Sequence, residues 1–222
     1  MAITTIKSIR NLDTGFILTP ERYNPNRKLK AGASDEHILL SEIATLINDT
    51  ISPKQATEYG DKIVIVNTGD AYEGHIKLTG NNDTVVNSNK KIAKPGDVII
   101  SRLRPYLRQV AYVDAEIYNR NGNEICAVST EFYVLRGKGG KCIGFLVPLL
   151  LSGKVQKVFA NAVEGSQHPR FKDDVLLDIA IPKSFLSLAD ELSLRVIENV
   201  SSIRKYENSM NSDITIINQY IG

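Results

Sequence analysis

From Phe185 to Ile221 the chain carries neither glycine nor proline. Within that run Ala189, Val196, Ile203, Met210 and Ile217 recur every seven residues. A companion stripe runs through Leu192, Val200, Ile214 and Ile221, with Tyr206 between. Such a pattern predicts one long helix with a coiled-coil seam, since a seven-residue apolar repeat keeps one side of a helix facing a partner. The step from Leu192 to Val200 predicts a local irregularity in that seam. A helix of this length spans roughly 55 Å at about 1.5 Å per residue. Nothing else in the chain offers a helix of matching length, and propensity alone does not hold a lone helix together. The stripe is therefore expected to pack on another chain, the alternative being that it folds back on its own domain.

Ahead of the tail the pattern changes. In Lys94-Pro-Gly-Asp-Val-Ile-Ile-Ser-Arg102, Pro95 and Gly96 suit a type II turn, and Val98 to Ile100 suit a short buried strand. Val110 to Val113 reads as a second strand. Between them lie Ser101, Arg102, Arg104, Tyr106, Arg108 and Gln109. Three arginines with a tyrosine and a glutamine do not make a core. They make either a solvated loop or a surface that grips anions or reads base edges. A second polar loop, Gly165-Ser-Gln-His-Pro-Arg170, contains Ser166, Gln167, His168 and Arg170.

The rest of the chain reads as mixed structure. Residues 12–30 predict an extended leading segment, because Pro20 and Pro25 exclude a regular helix. Residues 34–47 predict a helix capped by Ser34, with Ile38, Leu39, Ile43, Leu46 and Ile47 on one face. Strands are expected at 62–66, 75–79 and 126–136, with a turn at 80–83. The loop at 67–72, with Tyr72, either faces a polar ligand or is a plain connector. A helix over 143–159, interrupted near Pro148 and Gly153, is followed by a short helix at 171–177 and a last strand at 178–182. The expected fold is α+β: a twisted β-rich domain over residues 1–183 with short flanking helices, then one coiled-coil helix over 184–222.

The formal net charge of +2 is too small to argue for nucleic acid, but its distribution says more. Arg22, Arg27, Lys28 and Lys30 cluster, as do Arg102, Arg104 and Arg108, and then His168, Arg170 and Lys172. Cys126 and Cys142 form no metal-ligand spacing and fit a reducing compartment. The longest apolar run, residues 143–151, is too short to span a membrane, and a cytoplasmic protein is expected. Catalytic signals are weak. There is no Asn-Pro-Pro-aromatic motif and no glycine-rich phosphate loop. Asp173-Asp174 reads as a helix start rather than a metal site, and Ser166 with His168 has no orienting acid in sight. No catalytic residue, metal or cofactor is expected.

The order of these parts resembles the specificity subunit of type I restriction-modification systems. The resemblance rests on residues 94–102, then Ser129-Thr-Glu-Phe-Tyr-Val-Leu-Arg136, then Gly165-Ser-Gln-His, and then Val175-Leu-Leu-Asp-Ile-Ala-Ile-Pro182 leading into the long helix. In that family a target recognition domain is followed by a helix that joins a coiled coil. A full-length subunit has two of each, whereas 222 residues hold one, so the chain resembles a half-subunit. It departs from the family at Lys183-Ser-Phe-Leu186, which leaves the helix start open. The resemblance implies a non-catalytic subunit that recognises duplex DNA and directs a DNA methyltransferase, with or without a restriction or translocase subunit, to a bipartite target. It implies a homodimer with antiparallel, head-to-tail helices, and S-adenosylmethionine bound by the methyltransferase partner. The expected DNA contacts are Arg102, Arg104, Arg108, Gln109, Ser166, Gln167, His168 and Arg170, with Tyr72 and Tyr106 as weaker candidates. Two other classes stay open at this point: a coiled-coil adaptor whose head binds a protein, and, more remotely, a hydrolase using Ser166 or Asp173.

Overall fold

The computed structural model describes residues 6, 8–12, 20–29, 36–77, 85–119 and 122–221. Ser34, Lys30, the turn at 80–83 and the outer end of the strand expected at 75–79 lie outside these residues.

Among the described residues twelve short strands carry the fold: β1 (His37–Leu39), β2 (Ala44–Ile47), β3 (Thr50–Ile51), β4 (Ile63–Val66), β5 (Ala71–Tyr72), β6 (His75–Ile76), β7 (Lys90–Ala93), β8 (Val98–Ser101), β9 (Val110–Tyr112), β10 (Ile125–Ser129), β11 (Phe132–Gly137) and β12 (Ala180–Pro182). One four-stranded sheet has the order β2-β11-β8-β9 and a second the order β3-β7-β10-β4. Two-stranded pairs, β1-β12 and β5-β6, complete the β structure. All pairs are antiparallel except β10 with β4. Val98, Ile99, Ile100, Phe132, Val134 and Leu135 are almost fully buried, and so are Val64, Cys126 and Val128 in the other sheet. Residues with unbroken apolar runs have both sheet faces covered, which is why alternation is weak in these strands.

The helices are short apart from the last: α1 (Leu40–Ile43), α2 (Pro53–Ala56), α3 (Glu116–Asn119), α4 (Leu146–Leu151), α5 (Gly153–Asn161), α6 (Asp173–Leu177), α7 (Lys183–Leu186) and α8 (Ala189–Ile221). The break between α4 and α5 falls at Ser152, whose extended backbone and hydroxyl cap α5. This is an α+β protein with a long C-terminal helix, as the sequence predicts. Residues 20–29 form two three-residue-per-turn segments, Pro20–Tyr23 and Pro25–Arg27.

Several expectations are overturned: residues 126–136 form two strands, β10 and β11, rather than one, and the long helix starts at Ala189, after the separate α7. Residues 37–47 do not form a helix but a strand, a single helical turn and another strand. The apolar positions that fit a helix face also fit two strands with distant partners. Ile38 pairs with Ile181 across β1-β12, and Leu46 pairs with Leu135 across β2-β11. The turn between them is closed by Glu42, whose carboxylate accepts from the Leu39 backbone N–H at 2.8 Å.

Two anchors fix α8 on the domain. Gly144 lies against Ser193, where an added Cβ would meet the Ser193 Cα and carbonyl oxygen at 3.1 Å. That close approach lets the Ser193 hydroxyl accept from the Phe145 backbone N–H at 2.9 Å. Eleven residues on, the Arg204 Nη2 and Nε donate to the Asp114 carboxylate at 2.8 and 3.3 Å, and Nη1 donates to Glu207 at 2.7 Å. Burial works against the Arg204 charge, but the bonds to Asp114 outweigh it and raise its pKa above the ordinary value. Ala189, Leu192, Val196 and Val200 pack against the domain core. The heptad reading assigns the whole stripe to another chain; the structure gives its first half to the chain's own core. The reason is the crease beside β9 and α4, which no local pattern reveals. Beyond Glu207 every described residue of α8 is exposed.

Candidate nucleic-acid interface

The two sheets share one end, and strand register identifies what gathers there. β8 finishes at Ser101 opposite Phe132, the start of β11. β10 finishes at Ser129 opposite Lys90, the start of β7, and one residue earlier Val128 pairs with Val66 at the end of β4. The loops leaving these strand ends therefore form one surface: residues 102–109, the turn 129–131, residues 67–70 and the first residues of β7.

Main-chain hydrogen bonds add the second polar loop to it. Arg104 N–H donates to the Pro169 carbonyl at 2.9 Å, and Phe171 N–H donates to the Arg102 carbonyl at 3.2 Å. A bridge joins Leu103 to Arg170. On the other flank, the β5-β6 hairpin is fastened to β9, with Gly74 N–H donating to the Val110 carbonyl at 2.8 Å. Glu73 of that hairpin faces Arg108 Nε at 3.5 Å. Thus the arginine loop, the Ser166–Arg170 loop and the Tyr72 hairpin, distant in sequence, are neighbours in space.

The backbone at this end is held in unusual conformations. Among the described residues three non-glycine residues have left-handed φ: Glu73 at 41°, Arg104 at 48° and Arg108 at 53°. Each costs on the order of 1–2 kcal/mol relative to a right-handed conformation. Arg104 and Arg108 lie in the 102–109 loop and Glu73 in the hairpin beside it, and strain of this kind concentrates where side chains must be aimed.

The individual side chains fall into two groups. Arg102 and Arg170 share one carboxylate. Arg102 Nε donates to Glu131 Oε2 at 3.0 Å, while Arg170 Nε and Nη2 donate to Oε2 and Oε1 at 2.9 and 2.7 Å. The Arg170 bonds, then those of Arg102, hold the Glu131 carboxyl down at about 2 against the opposing effect of burial. Glu131 thus orients both arginines and binds the two loops together. The second group is freer. Arg104 makes no ion pair among the described residues, Tyr106 is 66% exposed, and Ser166, Gln167 and His168 are exposed. Tyr72 is also exposed and lies under the Lys77 ammonium at 4.6 Å from its ring centre. Gln109 differs, because its Oε1 is buried with no hydrogen-bond partner.

Structural roles account for other residues of the same segment. Gly96 takes a φ of 94° in a turn closed by Asp97 N–H donating to the Lys94 carbonyl. The buried Asp97 carboxylate then receives both ends of the Arg136 fork at 2.8 and 2.7 Å. Asp173 and Asp174 occupy the first turn of α6. No cluster of potential metal ligands occurs among the described residues, nor does any described helix have the length and apolarity to cross a membrane. Cys126 is buried, and burial pushes its thiol up to about 12.

Sequence reasoning passed over Lys90 and Lys91, which the β7-β10 register brings to this end. The available signal was a lysine pair directly before a strand that leads into the Lys94-Pro-Gly-Asp turn.

The fold is similar to that of two solved chains of type I restriction-modification systems. A chain from a structure describing complex assembly and conformational transition of the type I R-M system superposes with a TM-score of 0.53 at 22% identity, covering 85% of this chain and 48% of that one. The HsdS subunit from Thermoanaerobacter tengcongensis gives a TM-score of 0.52 at 20% identity, again covering 85% of this chain and 48% of that one. The chain therefore spans about half the length of these solved structures. No family model and no curated protein matches the sequence.

Proposed function

We propose that this chain is a sequence-specific duplex-DNA recognition subunit of a type I restriction-modification assembly. The observation that carries the reading is the convergence of two basic, partly exposed loops at one end of the sheets, locked together by main-chain bonds and by Glu131. Lysine and arginine contacts to phosphate set register, and side chains reaching base edges specify sequence. Arg104, Tyr106, Gln167 and His168 are free to reach outward, whereas Arg102 and Arg170 are held in fixed directions. Arginine pairs with guanine, and glutamine with adenine, each good bidentate pair being worth roughly 1–3 kcal/mol of discrimination.

In this reading the chain performs no reaction and binds no cofactor. A DNA methyltransferase partner supplies S-adenosylmethionine, and a restriction or translocase subunit joins where one exists. Residues 1–183 act as the recognition domain and 184–222 as the helical spacer. The exposed end of α8, with Met210, Ile214, Ile217 and Ile221, pairs with a second copy in an isologous homodimer, so that two half-sites are read at a set separation.

Selection from a randomised duplex library tests the reading, using the full chain mixed with its candidate methyltransferase. The expected result is a symmetric bipartite motif. A single asymmetric half-site would keep recognition and remove the homodimer. No enrichment at low salt from a folded complex would overturn the DNA reading in favour of a head that binds protein.

A further inference from the structure

Lys91 stands where the two sheets meet, at the same end as the recognition loops. It pairs in register with Val128 on one side and with Thr50 on the other. Its side chain turns toward the other sheet, with the ammonium 5.7 Å from the centre of the Tyr133 ring. The neighbouring Lys90 takes the opposite face of the strand, where its ammonium reaches Asn67 Oδ1 at 3.4 Å. Lys91 has no hydrogen bond to a side chain and no carboxylate within ion-pair distance among the described residues, although it is partly buried. Its pKa is lowered, first by that burial and then by the nearby Arg102 charge, with Asp173 opposing.

Arg102 and Arg170 already share the single carboxylate of Glu131. Glu131 bonds those two guanidiniums and not Lys91, on which Asp173 acts from beyond ion-pair distance. A partly desolvated ammonium beside a guanidinium costs free energy unless an anion arrives, because each cation raises the potential at the other. An ion with several oxygens, set between a point-charge donor and a planar fork, relieves both at once.

We propose that Lys91, together with Arg102, holds one backbone phosphate of duplex DNA beside the recognition loops. This rests on the DNA reading above and extends it to a residue outside those loops. The contact sets register without reading sequence. Its loss weakens all duplexes alike and leaves the selected motif intact.

The test uses the full chain in the complex that enriches duplex DNA, with affinity measured across a salt series. Lys91→Met keeps the aliphatic stem over Tyr133 and removes the charge; Lys91→Gln is read in the same way should the methionine variant unfold. The salt slope is expected to fall by about 0.9, the value for one phosphate on duplex DNA, with the motif unchanged. Lys91→Arg restores the slope, and Lys141→Met, at an exposed site four residues beyond the far end of β11, leaves it alone. An unchanged slope in Lys91→Met overturns the assignment. An altered motif also overturns it, because Lys91 would then be reading a base. Absence of salt-dependent duplex binding by the unmutated chain is a separate result and removes the DNA reading itself.

Discussion

The two halves of α8 have the same seven-residue apolar rhythm and opposite surroundings. Residues 189–207 lie in a crease of the domain, with Ser193, Val200 and Arg204 almost fully buried. Residues 208–221 extend into solvent, leaving Met210, Ile214, Ile216, Ile217 and Tyr220 exposed. The docked half is held by polar bonds as much as by its stripe, through Ser193 at one point and Arg204 at another. The free half has no such bonds to the domain. Periodicity states that a helix has a side to bury, and only tertiary structure states against what.

The largest expected effect comes from shifting the helix within its crease. One alanine inserted between Ser201 and Ser202 turns everything beyond it by about 100° and carries Arg204 away from Asp114. The loss is expected to be about 5 kcal/mol in urea unfolding, near the upper end for stranding a buried charge. The same insertion after Ser212 is expected to change domain stability by less than about 0.5 kcal/mol. Equal effects at both places would erase the distinction between the halves.

Arg204→Ala follows, with an expected loss of about 3–5 kcal/mol, since Asp114 would stay in the crease without its partner. Removing both charges with Asp114→Asn and Arg204→Met is expected to cost less than Arg204→Ala alone; a larger loss would refute that mechanism. Gly144→Ala is next. Its methyl would sit 3.1 Å from Ser193 backbone atoms, and the required shift of α8 is expected to cost about 1–3 kcal/mol, read as a lower thermal midpoint.

A smaller effect is expected from pH. His75 lies near Glu207, Arg204, Lys77 and Asp114, and burial, the largest influence, lowers its pKa below 6.5. The folded chain thus binds this proton less tightly than the unfolded chain does. Stability is expected to decline as pH drops through 6.5 toward the folded value, and His75→Asn should remove that part of the slope. The smallest effect on the domain belongs to the free half. Ile214→Ser combined with Ile217→Ser is expected to leave unfolding unchanged within about 0.5 kcal/mol while abolishing, in sedimentation, the self-association proposed above. Destabilisation of the lone domain would show that the free half touches it.

Legibility followed the range of the interactions. The strands at 98–101 and 110–112 and the turn before them were readable, because proline, glycine and a short apolar run act locally. The helix break near Gly153 was readable for the same reason. Residues 37–47 depart from the expected helix because β1 and β2 are defined by strands more than 85 residues away, and an apolar face alone does not distinguish the two periods at this length. At the candidate site the basic loops were visible as composition. Their joining was not, since it depends on the Arg104–Pro169 and Arg102–Phe171 main-chain bonds. Glu131 has two arginine partners, from loops on either side of it in the chain, and neither pairing is visible in local sequence.

Those main-chain bonds also define a unit of inheritance. The arginine loop and the loop that ends at Arg170 are separated by some sixty residues of chain, yet each supplies part of the other's backbone pairing. A recombination event or a laboratory graft that exchanges one without the other brings together two edges that were never fitted. Transplanting both with the 129–131 turn keeps the pairing and its carboxylate. On the proposed DNA reading, new specificities on this scaffold are therefore expected to travel as discontinuous blocks rather than as single contiguous cassettes.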